Sequence, residues 1–121
     1  VTRERLAGDE PVGDLEVRAS ELRGIEVPPE LVPLAIDEFP VLFVAAACAT
    51  GTTLVTGAEE LRVKESDRIA SMADGLRALG VDAEPRPDGM RIVGGSLGGG
   101  TIDSRGDHRI AMAFAVAALR A

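Results

Sequence analysis

The sequence predicts an α/β (α+β) fold in which strand and helix signals alternate along 121 residues. Short runs of β-branched or alternating apolar residues indicate strands, whereas apolar residues at helical spacing indicate the helices between them. Glycine and proline residues mark the boundaries. In chain order these signals predict strand, helix, strand, helix, strand, strand, followed by a glycine-rich connection and the beginning of a similar pattern.

The first half of the chain predicts one strand, a loop and a buried helix. Apolar residues alternate with polar ones over residues 15–19, which indicates a half-buried strand after a weakly signalled N-terminal stretch. Three prolines within residues 21–33 make a regular element improbable, so we predict a loop there. Asp37 is a suitable N-cap for a helix that has Pro40 in its first turn and ends before Gly51. This helix is apolar on all sides, which predicts burial.

The second half predicts a strand, an amphipathic helix and a hairpin. Residues 52–56 are rich in Thr and Val, which is typical of a short strand. Apolar residues at helical spacing begin at Ile69, and Gly80 ends that helix. Short apolar runs on both sides of a turn at residues 85–89 predict a two-stranded hairpin. Residues 94–100 include five glycines but lack the Lys-Ser/Thr ending of a phosphate-binding loop, so we interpret them as a flexible connection.

The last part of the chain repeats an earlier pattern. Residues 101–104 are typical of a short strand, and Asp107 then opens a helix of small apolar residues, 70 positions after Asp37. We therefore predict an internal repeat, with residues 1–95 forming one unit and residues 96–121 the connection and the start of the next. Because the chain begins without Met and stops inside an apolar helical run, we expect it to be one compact part of a longer protein.

Composition and charge argue against several classes of function. The formal net charge is −7, and the chain has three Phe, no Trp and no Tyr. It therefore lacks the basic surface and the aromatic platform of a nucleic-acid-binding protein. The longest apolar run, residues 110–119, has about half the length of a membrane span, so we expect no membrane segment and a cytoplasmic location. The single cysteine, Cys48, lies in a small apolar stretch and is assigned no function.

The stretch Arg62–Arg68 carries five charged residues among seven, between a strand signal and a helix signal. If the helix begins near Glu65, then Lys64 and Arg68 lie side by side on it. One interpretation is a solvated first turn in which Glu65 and Asp67 neutralise the two cations. The other is that a helix N-terminus, a lysine and an arginine hold an anionic ligand while Glu65 moves a proton.

Charged residues gather in the same way at all three predicted helix beginnings. If the helices pack with their N-termini together, their positive dipole ends and three cations would form an anion-binding site. Two carboxylates there would be available as acid and base groups. The alternative is that the acids are N-caps and that the lone histidine, with no metal-ligand partner at suitable spacing, serves packing. The residues concerned are Asp37, Lys64, Glu65, Arg68, Asp107 (interpreted only as an N-cap), His108 and Arg109.

Three motifs carry these residues. They are Ile-Asp-Glu-Phe-Pro-Val-Leu at 36–42, Leu-Arg-Val-Lys-Glu-Ser-Asp-Arg-Ile at 61–69 and Gly-Asp-His-Arg-Ile-Ala-Met at 106–112. Together they resemble the 5-enolpyruvylshikimate-3-phosphate (EPSP) synthase family, and the resemblance covers nearly the whole chain. It implies an inverted α/β fold of two domains, each built from three βαβαββ units whose helix N-termini face a cleft. This chain would be one unit and the start of the next, from the C-terminal part of a monomeric enzyme, with the remaining domain as its partner.

The resemblance also implies a reaction. Family members transfer the enolpyruvyl group of phosphoenolpyruvate to the 5-hydroxyl of shikimate 3-phosphate, releasing phosphate, in the shikimate pathway of aromatic amino acid biosynthesis; they use no cofactor or metal, and glyphosate inhibits them. By resemblance Asp37 takes the hydroxyl proton, and Glu65 handles the proton at the methylene carbon. The implied site is therefore Asp37, Glu65 and Lys64 as catalytic residues, Asp37 and Lys64 as ligands of shikimate 3-phosphate, Arg68 and Arg109 as ligands of phosphoenolpyruvate or glyphosate, and His108 one layer further out.

Two departures from the family pattern limit the prediction. Many members carry Asn four residues before the lysine, where this chain has Glu60, so no substrate contact is assigned to that position. The lysine and glycine-rich motifs of the other domain are absent, so we expect the chain alone to be inactive. Two alternatives stay open: a relative that transfers enolpyruvyl to a UDP-sugar, and a non-catalytic repeat module whose charged turns are solvated caps.

Overall fold

The computed structural model describes residues 1–121 and contains two β-sheets, three α-helices and two 3-10 segments. The strands are β1 (Thr2–Ala7), β2 (Glu10–Asp14), β3 (Thr52–Val55), β4 (Asp82–Arg86) and β5 (Gly89–Val93). The helices are α1 (Phe39–Cys48), α2 (Arg68–Ala78) and α3 (His108–Ala117), and the 3-10 segments are Pro29–Glu38 and Glu59–Val63. Strands β1 and β2 form a separate antiparallel hairpin.

The larger sheet contains the strands of the predicted repeat unit. Its order is β3-β5-β4, with antiparallel pairs on both sides of β5, so β3 and β4 run parallel to each other. Residues 22–27 extend the sheet beyond β3 in parallel orientation, through bridges that join Arg23 to Thr50 and Glu26 to Leu54. Helices α1 and α2 therefore each connect parallel chain segments, as in an α/β fold. The fold class predicted from the sequence is confirmed.

The predicted strand over residues 15–19 is wrong. These residues form no strand, and Val17 is 90% exposed. An alternating pattern needs a neighbouring strand to pair with, and no part of the chain lies beside this one. Residues 22–27, inside the predicted loop, stay irregular apart from two isolated bridges to residues 50 and 54, through which they take the place of the first strand of the unit. The prolines of the predicted loop follow the extended segment and end it, which is compatible with its pairing.

A glycine allows this edge segment to approach β3 closely. The Gly24 N–H donates to the Thr50 carbonyl at 2.8 Å, and the Val27 N–H donates to the Leu54 carbonyl at 2.9 Å. A Cβ added at Gly24 would lie 2.2 Å from the carbonyl oxygen of Thr52. A side chain at this position would therefore push the segment off the sheet.

The beginning of α1 also differs from the prediction. Asp37 is not its N-cap, because the 3-10 segment Pro29–Glu38, with a kink at Ala35, leads directly into the helix and Glu38 precedes its first residue. Pro40 lies in the first turn, as predicted, where its missing N–H removes no helical hydrogen bond. The Asp37 carboxylate is consequently free to bond with side chains of other segments.

Helix α2 begins at Arg68, later than the expected start near Glu65. Its N-cap is Asp67, whose side chain accepts a hydrogen bond from the Ala70 N–H at 3.0 Å. Lys64 has an extended backbone conformation before the helix. The start at Arg68 agrees with the apolar pattern that opens at Ile69, and the condition under which Lys64 and Arg68 would share one helical turn, a start near Glu65, is not met.

The remaining elements agree with the sequence in all but one case. Strand β3, the β4–β5 hairpin and the irregular glycine-rich connection are confirmed. Asp107 is the N-cap of α3 and accepts a hydrogen bond from the Arg109 N–H, also as predicted. The predicted strand over residues 101–104 is wrong, because this segment has no strand partner in the chain.

One apolar core joins all three helices to the larger sheet. Phe39 and Phe43 of α1 are buried and meet edge to face, with ring centroids 6.0 Å apart. Helices α1 and α2 contact β5, and α3 packs on α1. The 20 residues Pro29–Cys48 are long and apolar enough to cross a membrane by composition, but the core helix of a globular protein passes the same test. The core also includes Val55, Leu61, Ile69, Met72, Leu76, Met90, Ile92, Ile110 and Phe114.

Replacement of Gly75 by Ala should destabilise the chain by about 1 kcal/mol. Alanine favours helix by roughly 1 kcal/mol over glycine. A Cβ at Gly75 would, however, lie 2.2 Å from Cζ of the Phe114 ring, and overpacking of this kind costs about 1–3 kcal/mol. Urea unfolding measures the change. In a Phe114→Leu background the ring is gone, so the same substitution should become neutral or stabilising; equal effects in both backgrounds would contradict this packing argument.

Candidate functional site

Side chains from three separate segments meet beside the N-termini of the helices. Asp37 lies at the end of the 3-10 segment that precedes α1. Lys64 and Glu65 lie in the turn before α2, and Arg109 lies in the first turn of α3. The packing of α1 on α2 and α3 brings these helix ends together. The convergence that the sequence predicted is thus present, although two of the three helices begin at other residues than expected.

Arg68 is the centre of the cluster. Its side chain is only 2% exposed, and its guanidinium donates to three carboxylates. Nε and Nη2 donate to Asp107 at 2.9 and 3.3 Å, Nη2 also donates to Glu65 at 2.5 Å, and Nη1 donates to Asp37 at 3.2 Å. A buried guanidinium needs such partners, because an uncompensated charge in the interior is strongly destabilising.

Asp107 has a larger role than the N-cap that the sequence predicted. It caps α3 by accepting the Arg109 N–H at 3.0 Å, and it also accepts from the Ser66 hydroxyl at 2.8 Å and from Arg68. Burial raises the pKa of Asp107, but the hydrogen bonds from Arg68, Ser66 and the Arg109 backbone outweigh it and lower the pKa to about 2. Sequence reasoning missed Ser66 entirely, and the only available signal was its position inside the charged motif.

Lys64 and Asp37 form the more exposed side of the cluster. The Lys64 ammonium lies 3.1 Å from a Glu60 oxygen and 3.4 Å from Asp37 Oδ1. The hydrogen bond to Glu60, helped by the charge of Asp37, raises the pKa of Lys64. Burial raises the pKa of Asp37, but Lys64 and the nearby arginines hold it below its usual value. Asp37 thus stays ionised and links Lys64 to Arg68, which both contact the same oxygen.

Arg109 is the third cation of the site, after Lys64 and Arg68, and lies at the edge of a shallow depression. Its guanidinium donates to Glu38 at 3.0 Å, and both side chains line an open depression of about 180 Å³ together with Asp37. Ligand sites usually measure about 300–1,000 Å³, so the depression by itself is small for a substrate. The two largest depressions, about 500 and 520 Å³, lie elsewhere, at the β1–β2 hairpin and beside the outer faces of α1 and α3.

The predicted residues differ in how open they are to a ligand. The carboxylates of Asp37 and Glu65 are about half exposed, whereas Arg68 lies beneath them. A ligand can reach Arg68 only if one of these two carboxylates moves aside. His108 is exposed and makes no hydrogen bond to the cluster, so its expected place behind the substrates stays a prediction. No group of three or more His, Cys, Asp or Glu side chains has the arrangement of a metal site.

The arrangement is suited to an anionic ligand and to proton transfer. Three cations, Lys64, Arg68 and Arg109, lie close together in a chain of net charge −7. Their partners Glu60, Glu65 and Glu38 are all more than half exposed, so water can solvate these carboxylates when they leave the cations. A phosphate or carboxylate that offers bidentate hydrogen bonds can replace such partners. The carboxylates released in this way would lie next to the ligand as acid or base groups.

Comparison with known proteins relates this site to one family. The chain matches the family described as EPSP synthase (3-phosphoshikimate 1-carboxyvinyltransferase) over residues 4–121. The 3-phosphoshikimate 1-carboxyvinyltransferase of Methylococcus capsulatus is 71% identical over 117 residues, which are 97% of this chain and 27% of that protein. That of Alkalilimnicola ehrlichii is 70% identical over 122 residues, covering 100% of this chain and 27% of that protein.

Solved structures agree with the sequence comparison. A structure of EPSP synthase from Acinetobacter baumannii superimposes with a TM-score of 0.93 at 56% identity, covering 97% of this chain and 28% of that chain. A second structure from the same organism gives a TM-score of 0.89 at 52% identity. The chain therefore spans just over a quarter of the length of these relatives.

Replacement of Asp107 by Asn should destabilise the chain by about 3 kcal/mol, because it leaves the buried Arg68 charge without its main partner. Asparagine is as good an N-cap as aspartate, so the change isolates the charge from the cap. Urea unfolding at pH 7 measures the effect. The matched control is Asp82→Asn, which removes an exposed partner of Arg91 and should cost less than about 0.5 kcal/mol. Similar losses in both variants would contradict a special role for the buried pair.

The same carboxylate should make stability depend on acid pH. The pKa of Asp107 is about 2 in the folded chain against an ordinary value of 3.8, so its contribution is complete above about pH 5 and is lost as the pH falls through 4 towards 2. This lowering of the pKa corresponds to roughly 2 kcal/mol. Asp37 and Glu84, whose pKa values are also lowered, act in the same direction.

Comparison with Asp107→Asn separates the contributions. Unfolding free energies of both proteins between pH 5 and pH 2 should fall less steeply for the variant, by about that amount. Parallel curves would show that Asp107 does not titrate in this range.

Proposed function

The chain belongs to the EPSP synthase family, and from this premise we propose that it supplies part of the active site of an enolpyruvyl transferase. The proposed reaction transfers the carboxyvinyl group of phosphoenolpyruvate to the 5-hydroxyl of shikimate 3-phosphate and releases phosphate. The observation that carries the proposal is the meeting of Asp37, Lys64, Glu65 and Arg68 in one hydrogen-bonded cluster, with Arg109 beside it. The comparisons support this reaction over transfer to a UDP-sugar and over a non-catalytic repeat.

The proposed chemistry uses the two half-exposed carboxylates. Asp37 accepts the proton of the attacking 5-hydroxyl while the oxygen bonds to the substituted vinyl carbon of phosphoenolpyruvate, and the methylene carbon gains a proton. Loss of that proton and breakage of the carbon–oxygen bond to phosphate then form the product. Glu65 donates the proton that the methylene carbon gains and accepts a proton from the same carbon when phosphate leaves. Asp37 is ionised and can accept a proton, and a substrate that takes over its contacts with Lys64 and Arg68 would make it a stronger base, since these cations lower its pKa.

The cations have binding roles in the same proposal. Lys64 binds shikimate 3-phosphate, and Arg68 and Arg109 bind phosphoenolpyruvate, with glyphosate as an inhibitor at that position. Because Arg68 is buried and fully paired, phosphoenolpyruvate can reach it only when a carboxylate moves aside, and in this proposal it is Glu65 that swings away from Nη2. The same movement would bring Glu65 beside the methylene carbon. Binding of phosphoenolpyruvate to Arg68 and placement of Glu65 beside the methylene carbon would then occur in the same step.

The rest of the enzyme is also part of the proposal. Residues 1–95 contain one βαβαββ unit together with the N-terminal hairpin, residues 96–121 begin the next unit, and a second domain covers the open cluster to make the cleft. The small depression at Asp37 and Arg109 supports the need for such a cover. The chain alone is then inactive, which a turnover assay checks directly. Small water-soluble substrates favour the predicted cytoplasmic location.

Replacement of Glu65 by Gln should lower turnover by about 10²-fold, because glutamine cannot move the methylene proton. The test uses a chimera in which this chain replaces the matching 117-residue segment of the Methylococcus capsulatus protein, with phosphate release as the readout. Glu59→Gln is the matched control, since Glu59 lies in the same segment, is exposed and pairs with no cation. A rate for Glu65→Gln within twofold of the unmutated chimera would remove this residue from the chemistry, and an inactive unmutated chimera would count against the proposed function itself.

A further inference from the structure

The segment that carries Lys64 and Glu65 is attached to the turn of the β4–β5 hairpin by Arg62. The Arg62 guanidinium donates from Nε to the Pro87 carbonyl at 3.0 Å and from Nη2 to the Arg86 carbonyl at 2.6 Å. Its third nitrogen, Nη1, donates to the carboxylate of Asp67 at 2.8 Å. One side chain thus contacts both the hairpin turn and Asp67, the N-cap of α2. Lys64 and Glu65 lie in the sequence between Arg62 and Asp67.

A second attachment holds the beginning of the same segment. The Ala58 N–H donates to the Asp88 carbonyl at 2.7 Å, and the Gly57 N–H donates to the Asp88 carboxylate at 3.0 Å. Leu61 then anchors the following 3-10 turn in the core, where it is fully buried. Beyond Leu61 no apolar anchor follows, since Val63 is 79% exposed. Between Leu61 and the start of α2 the restraints are therefore polar: Arg62 holds the beginning of this stretch on the hairpin turn, and the Ser66 hydroxyl holds its end on Asp107 at 2.8 Å.

We propose that Arg62 is a positioning residue that fixes Lys64 and Glu65 relative to the rest of the cluster. Lys64 contacts only the exposed carboxylates of Glu60 and Asp37, and Glu65 contacts Arg68 through the end of its flexible, half-exposed side chain, so neither contact fixes the backbone of the segment. Arg62 acts differently because its planar fork bonds to two fixed backbone carbonyls at once, which a lysine cannot reproduce. The hairpin turn thereby becomes part of the support of the site.

The positioning role depends on the proposed function for its kinetic consequence, and Arg62→Lys tests it in the same chimera. Arg68 and Arg109 have their own supports in Asp107 and Glu38, so the KM for phosphoenolpyruvate should stay unchanged. The KM for shikimate 3-phosphate should rise several-fold, and kcat should fall by about 10-fold or more, since small displacements of reacting groups lower rates strongly. The matched control is Arg91→Lys, on the same sheet, whose partners are side-chain carboxylates only.

A purely structural role for Arg62 predicts a different result. Lower stability reduces the active fraction, so the apparent kcat would fall while both KM values stay the same. That outcome, or equal effects of Arg62→Lys and Arg91→Lys, would overturn the proposal.

A second measurement on the 121-residue chain does not depend on activity. Amide hydrogen exchange over residues 59–66 should accelerate in Arg62→Lys, whereas exchange over β3 should not change. Unchanged exchange over residues 59–66 would overturn the positioning role whether or not the chimera is active. Faster exchange together with an inactive unmutated chimera would retain the mechanical role of Arg62 and reject the proposed function.

Discussion

The burial of a single guanidinium is the constraint on which the site depends. Arg68 is the largest fully buried side chain in the chain, and its charge must be compensated where it lies. Asp107 provides that compensation from α3, Glu65 from the turn before α2, and Asp37 from the segment before α1. Three segments that are far apart in sequence are therefore held at one place. Any packing of the helices that separated them would leave a charge in the interior without partners.

This constraint also separates a structural layer from a reactive one. The lower layer is the Arg68–Asp107 pair, which is buried and supported by the Ser66 hydroxyl and the α3 backbone. The upper layer consists of the half-exposed carboxylates and of Lys64 and Arg109, whose contacts are weak enough to exchange for a ligand. A site of this kind keeps its geometry when the upper layer rearranges, because the lower layer does not have to move.

The hairpin and the 3-10 segments connect this site to the sheet. Arg62 joins the β4–β5 turn to the segment before α2, and Asp37 lies in the 3-10 segment before α1. The site residues Asp37, Lys64 and Glu65 thus lie outside the α-helices and strands. Functional side chains in loops need such attachments, since a loop has no hydrogen-bond ladder of its own to hold it.

Much of the fold could be predicted from the sequence alone. The α/β class, β3, the β4–β5 hairpin, the N-cap of α3 and the glycine-rich connection depend on local patterns of apolar residues, caps and turns, which act over a few residues. The edge segment could not, because residues 22–27 join the sheet only through two bridges to residues 50 and 54, which are distant in sequence. Residues 15–19 show the opposite case. Their apolar and polar residues alternate as in a strand, but they have no partner strand and therefore form none.

For the site, the sequence by itself determined which residue types are available and that they stand near helix beginnings. Only the tertiary structure decided how they pair: that Arg68 is buried beneath the carboxylates, that Asp107 is its main partner as well as a cap, and that Asp37 links Lys64 to Arg68. The physical reason is that charge pairing depends on distances of a few ångströms between segments that lie 30 or more residues apart in sequence. Local patterns contain no information about such distances, whereas the packing of the helices sets them.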